Sequence, residues 1–291
     1  MPSLQDIRRR ITSVKNTQQI TNAMKMVSAA KLQRAQDRVL ATRPYAERMG
    51  FVVEHLQARV RLTAHPLLTP RDEGKTLLVL LTSDRGLCGG FNANVQRLAL
   101  EQIRQLSANG QVDIVAVGKK GRDFLGYRQL DLHQTYIEIF LRQVDYEQAQ
   151  QVMAELLRAY EGEEAYRQVL VVYNRFRSAI SQQPTILRLL PVSTVDDVEA
   201  EPEEAFDYLY EPSAPQVLDS LLRKQLEIQL FQVFQESFAG EHGARMTAMD
   251  SATSNASDMI ASLTLTFNRA RQATITKELI EVVSGADALQ G

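Results

Sequence analysis

Two periodicities divide this chain. Met246, Met249, Thr253, Ala256, Ile260, Leu263, Phe267 and Ala270 follow alternating steps of three and four residues, and seven of the eight are apolar. That spacing is the seam of a coiled coil. At the other end Leu4, Ile7, Ile11 and Val14 begin the same pattern, and Leu32, Ala35 and Val39 resume it in register. In between, the register falls on Gln18, Thr21, Lys25 and Ser28, while Ile20, Met24 and Val27 form a neighbouring apolar stripe. Part of this helix is therefore expected to face something other than its helical partner. Ser3 with Asp6 resembles a capping box built with the shorter acid, a helix start.

Proline supports long helices at both ends. The nine prolines leave residues 3–43 and 216–291 free of them, and proline in a helix interior costs about 3 kcal/mol. At the α-helical rise these stretches would be roughly 60 Å and 115 Å long. One seam needs a partner. Antiparallel pairing of the two ends with each other is expected, because an intervening segment of about 150 residues closes the loop at modest entropic cost.

The intervening segment has a shorter rhythm. TLLVLLTS (76–83), VDIVAVG (112–118) and RQVLVVYN (167–174) are short, apolar and β-branched, as in buried parallel strands. LHQTYIEIF (132–140) and TILRLLPV (185–192) add possible strands, and residues 92–108 and 145–160 are helical candidates. The fold class that follows is α/β plus α: an antiparallel two-helix coiled coil from the terminal helices, with an inserted α/β (Rossmann-like) domain. The expected segments are 1–60 for the N-terminal helix, 75–195 for the α/β domain and 208–291 for the C-terminal helix. The acid-rich stretch 196–207 reads as a solvated loop.

Composition narrows the chemistry. A formal net charge of −2 gives no global pull toward nucleic acid. The single cysteine, Cys88, excludes an intramolecular disulfide, and the four histidines at 55, 65, 133 and 242 are scattered without metal-ligand spacing. No apolar run reaches the roughly 18 residues a membrane span needs. The turn after the first strand, Gly86 with Gly89 and Gly90, invites a phosphate, but its G-x-x-G-G spacing matches neither dinucleotide nor P-loop fingerprints and holds no lysine. VGKKGRDFL (117–125) repeats the strand–turn–helix shape with the wrong spacing too. Ser83, Asp84 and Arg85 form a polar trio at a strand end with no base nearby in sequence. No catalytic residue, cofactor site or metal site emerges. Residues 1–43 carry nine Lys or Arg against Asp6 and Asp37, a basic face suited equally to an acidic protein surface or simply to solvent. Two rival readings stand beside this one: a nucleotide-binding α/β enzyme using the 86–90 turn, and a basic coiled-coil binder of nucleic acid.

Several strings then coincide: ITSVKNTQQITNAMKMVSAAKLQRAQ (11–36), TSDRGLCGGFNANV (82–95), DYLYEP (207–212), ARMTAMDSATSNA (244–256) and NRARQATITKELIEVVSGA (268–286). Together they resemble the gamma subunits of bacterial F-type ATP synthases. The resemblance implies a central stalk, a rotor that passes proton-driven rotation of the membrane c-ring to three catalytic β subunits alternating with three α subunits, beside an epsilon subunit. It implies a non-catalytic chain without cofactor, peripheral on the cytoplasmic face of the bacterial inner membrane. Residue by residue, Arg245 and Gln272 match a polar pair that engages a β-subunit loop. Thr276, Glu278 and Glu281 match contacts higher on the shaft, and Met24, Lys25 and Lys31 match the surface facing the acidic β lever. Leu279, Ile280, Val282 and Val283 suit an apolar upper bearing, while Tyr208 and Glu211 match the region beside the c-ring. Gly240 and Gly243 stand where better helix formers are usual, and leave the straightness of the C-terminal helix there open.

Overall fold

The computed structural model of the protein describes residues 3–59, 65–139, 143–162, 166–192, 211 and 213–290. The chain divides into two compact units, Met1–Ser28 with Met246–Gly291, and Ala29–Arg245. Two long helices, α1 (Leu4–Arg59) and α5 (Ala214–Gln290), contribute to both. The capping box is present: Ser3 Oγ accepts from the Asp6 amide at 3.1 Å, and the Asp6 carboxylate accepts from the Ser3 amide at 3.3 Å.

In the first unit the helices pair antiparallel. Thr21 and Thr253 share a hydroxyl hydrogen bond of 2.8 Å, and Lys25 meets Asp250 at 2.6 Å. The less exposed positions of α1 are those of the single register, polar ones included, so the seam runs through Gln18, Thr21, Lys25 and Ser28. The adjacent stripe is mostly open, with Ile20 60% and Val27 58% exposed and Met24 half-buried. Continued in antiparallel register, the Thr21–Thr253 pair sets Leu4 opposite Ala270. Every described side chain after Ala270, beyond the point opposite Leu4 where α1 starts, is exposed.

In the second unit, α1 continues past Pro44, beyond the proline-free stretch. Val53 is 1% exposed; burial beyond the proline offsets the lost backbone bond. Thr42 donates to Gln235 Oε1 at 3.0 Å and Lys31 lies in the field of Glu241, so α1 and α5 run antiparallel here as well.

Between the helices lies a five-stranded sheet in the order β3-β2-β1-β4-β5. Its strands are β1 (Lys75–Leu81), β2 (Val112–Val117), β3 (Gln134–Tyr136), β4 (Tyr166–Ser178) and β5 (Ser181–Leu190). The first four are parallel and β5 pairs antiparallel to β4. Helices α2 (Phe91–Ser107) and α3 (Lys119–Tyr127) bury Val95, Ala99, Ile103 and Leu125 against Leu78, Leu80, Ile114 and Ala116. Helix α4 (Tyr146–Glu161) lies on the other face, where Leu156 and Ala159 share a cavity wall with Leu77 and Val115. Alternate residues of β1 therefore serve opposite layers, which is why the strand reads as an unbroken apolar run. Three of the expected strands match β1, β2 and β4. The fourth shrinks to Gln134–Tyr136, an edge strand ended by Glu138 at φ 67°. The fifth starts earlier than expected, since β4 and β5 extend as a polar hairpin through Ala179 and Ile180.

That extension reaches α5, and the two unexplained glycines lie where it does. A Cβ at Gly240 would stand 3.2 Å from the Phe91 ring and 3.3 Å from Gln182, and one at Gly243 would stand 2.9 Å from the Ala179 carbonyl oxygen. The helix runs unbroken through both. Each glycine costs the helix about 1 kcal/mol relative to alanine, and close contact with the sheet offsets it. The solvated-loop reading of 196–207 lies outside the described residues.

Gly243→Ala should therefore lower the thermal midpoint despite alanine's better helix propensity, by about 1–3 kcal/mol of stability. An unchanged or raised midpoint in a calorimetric melt would count against the close approach.

Candidate functional site

The sheet winds from β1 through β2 to β3 and then returns to β4, beside β1. In open α/β sheets the crevice at the carboxyl ends of such strands, where the winding reverses, is where ligands bind. The 86–90 turn stands there, and so does α5. Asn174 of β4 donates to the Phe91 carbonyl at 2.9 Å, closing the strand end onto the start of α2, and Gly240 packs on the same two residues. The chain's own helix fills the place of a ligand.

The polar trio serves the backbone. Ser83 Oγ donates to the Arg85 carbonyl at 2.6 Å, and Asn92 donates to Ser83 Oγ at 2.8 Å and to Cys88 Sγ at 3.2 Å. Asp84 Oδ1 accepts from the amides of Lys119 (2.9 Å) and Glu138 (3.0 Å), joining the end of β1 to the start of α3 and the end of β3. Burial raises the Cys88 thiol pKa, with Arg245 pulling the other way. The second glycine turn is structural as well. Gly118 has φ 96°, and a Cβ there would fall 2.1 Å from the Thr82 carbonyl oxygen.

Against this turn sits a buried ionic cluster on α5. Arg245 is 6% exposed; its guanidinium meets Glu241 Oε1 at 2.7 Å and donates to the carbonyls of Gly86 (3.1 Å) and Arg85 (3.2 Å). Glu241 is raised in pKa by burial, and Arg245 opposes that shift. Burial and the neighbouring Arg245 and Lys31 push His242 down to about 3, so its ring is neutral. Lys31, partly buried, is lowered by desolvation first and by Arg85 and Arg245 after it, with Glu241 counteracting.

The sequence-nominated residues fall in three places. Lys31 and Arg245 share the electrostatic field of Glu241 in the second unit, where Glu211 is exposed. Met24 is half-buried and Lys25 pairs with Asp250 in the first unit. Gln272, Thr276, Glu278 and Glu281 lie on the uncovered end of α5, with Glu281 3.6 Å from Lys277. Tyr208 lies outside the described residues. Arg245 departs most from its expectation: it stands buried and hydrogen-bonded within the chain, not on an open face. Sequence reasoning missed Glu241 and Asp250. Glu241 precedes Arg245 by four residues, the spacing of a helical ion pair, and that signal was available. Asp250 carried none, because its partner lies 225 positions away. Among the described residues no cluster of three or more His, Cys, Asp or Glu could hold a metal ion.

An antiparallel helix pair, interrupted in sequence by a doubly wound α/β domain against whose strand ends its own helix packs, defines a mixed class of long-helix and α/β protein. The ATP synthase family model matches residues 3–289. The ATP synthase gamma chain of Trichlorobacter lovleyi is 48% identical over 294 residues, covering all of both chains. A chain of the central stalk and c-ring structure of Tetrahymena thermophila mitochondrial ATP synthase superposes with TM-score 0.58 at 27% identity, over 80% of this chain and 99% of that one. A chain of the Euglena gracilis mitochondrial ATP synthase shares the fold over 98% of this chain and 94% of its own, with TM-score 0.69 at 19% identity. This chain belongs to the ATP synthase gamma chain family.

Glu241→Ala would leave a buried guanidinium without its carboxylate and should cost about 3–5 kcal/mol in denaturant unfolding. A second expectation concerns pH. His242 takes up its proton in the unfolded chain near 6.5 but in the folded chain only near 3. The unfolded state therefore binds more protons in that window, and stability falls as pH drops through it, by roughly 1.4 kcal/mol per pH unit. His242→Gln should lose less stability than the wild type between pH 6.5 and 4; parallel curves would refute the buried neutral ring.

Proposed function

We propose that this chain is the central stalk of a bacterial F-type ATP synthase, carrying rotation between the membrane c-ring and the β subunits, with no active site of its own. The full-length kinship to bacterial gamma chains carries the reading. Its partners are three α and three β subunits around one copy of this chain, an epsilon subunit and the c-ring. Among the described residues no helix is long and apolar enough to cross a membrane, so attachment to the cytoplasmic face of the inner membrane falls to the c-ring contact, with Tyr208 and Glu211 as its proposed residues.

The mechanism rests on asymmetry. A single chain inside a threefold ring presents a different face to each β subunit, and that difference is a coupling free energy between shaft angle and nucleotide affinity. Contacts that transmit torque must also break every third of a turn. Charge-assisted hydrogen bonds, about 1.5–3 kcal/mol each, meet that demand. The exposure of Gln272, Thr276, Glu278 and Glu281 supports them as such contacts. Nearby, Leu279, Ile280, Val282 and Val283 are 58–71% exposed, an apolar patch suited to sliding inside a sleeve. Met24, Lys25 and Lys31 are proposed to face the acidic β lever. Lys25 would exchange Asp250 for a partner carboxylate, a near-neutral swap between exposed pairs.

The test is reconstitution with α and β subunits. A complex with one copy of this chain and ATP-driven rotation of a probe on it is the expected outcome; a chain that fails to assemble refutes the reading. Gln272→Ala with Glu278→Ala should lower the coupled ATPase by about tenfold or more, as the loss of one or two such hydrogen bonds predicts.

A further inference from the structure

We propose that Arg245 is a positioning residue that pins α5 to the 85–90 turn through contacts inside this chain. Every nitrogen of its guanidinium is engaged: Nε and Nη2 with the Gly86 carbonyl (3.3 and 3.1 Å), Nη2 also with the Arg85 carbonyl (3.2 Å), and Nη1 with Glu241 (2.7 Å) and His242 Nδ1 (3.4 Å). The flat fork of arginine suits this arrangement, since it serves carbonyls on one edge and a carboxylate on the other.

The turn needs such a pin. Leu87 at its tip has φ 61° and is 65% exposed, so a bulky apolar residue holds a left-handed conformation with little packing of its own. Conformations of that kind persist only where the surroundings over-determine them. Ser83, Asn92 and Cys88 hold the turn from the sheet side, and Arg245 holds it from the helix side. Turn and helix thereby become one joint at the end of β1. That the joint carries load from α5 into the sheet rests on the central-stalk reading; the pin itself does not.

Cys88, 2% exposed and the only cysteine of the chain, reports on the turn. In the full-length protein its alkylation by N-ethylmaleimide, followed by mass spectrometry, should be slow in the wild type. Arg245→Ala should speed it by about tenfold or more through local opening. Arg245→Lys should remain at least about threefold faster than wild type, because one ammonium cannot hold both carbonyls and the carboxylate. Leu125→Ala, which weakens the core away from the turn, controls for general destabilisation and should raise the rate by less than about twofold. Wild-type protection in Arg245→Ala, or an equal rise in Leu125→Ala, overturns the pin. So does an Arg245→Ala chain with protected Cys88 that only binds α and β subunits more weakly. Failure of the wild-type chain to assemble would sink the stalk reading and leave this measurement standing.

Discussion

The close approach of α5 to the end of the sheet is the constraint on which the second unit is built. Helices usually keep their distance from a sheet because side chains stand between the backbones. Gly240 and Gly243, one helical turn apart, remove them, so that helix backbone meets the Phe91 ring at one position and the Ala179 carbonyl at the other. Only then can the hairpin of β4 and β5 lie along the helix, and only then is Arg245 near enough to reach the carbonyls of Arg85 and Gly86. Burial of Glu241 follows from the same approach, and its charge is tolerable because Arg245 is buried with it.

The first unit works under the opposite economy. A coiled-coil seam is ordinarily apolar, yet the register here passes through Thr21, Lys25 and Ser28 opposite Thr253 and Asp250. Thr21 with Thr253, and Lys25 with Asp250, satisfy one another, so these four forfeit apolar burial without losing their hydrogen bonds. Their value is register: a shifted pairing would face Lys25 and Thr21 with apolar or mismatched partners. The same choice leaves Ile20 and Val27 outside the seam and exposed, available to a surface other than α1's helical partner.

Much of the fold was legible because its determinants are local and repetitive. Three-and-four spacing marked the helices, unbroken Val/Leu/Ile runs marked β1, β2 and β4, and proline marked where helices were free to run. Errors fell where a distant segment decided. The fourth expected strand shortened to Gln134–Tyr136 beside Glu138, whose amide is held by Asp84 from the end of β1. The polar tip of the β4–β5 hairpin reads as a loop in isolation and becomes strand against α5. The candidate residues on the free end of α5 were legible as family motifs. Arg245 shows the limit of such a transfer, since a motif specifies a residue but not which groups its side chain meets.

The sequence alone determined the paired terminal helices, the inserted parallel sheet and the absence of a known phosphate-binding spacing at the 86–90 turn. All three are written in periodicities and intervals that a short window contains. Tertiary structure alone decided what occupies that turn's crevice, why α5 carries two glycines, and that Lys25 meets Asp250 and Arg245 the carbonyls of Arg85 and Gly86. Those answers depend on residues far apart in the chain, and their energies come from burial and close contact, which no interval along the chain encodes.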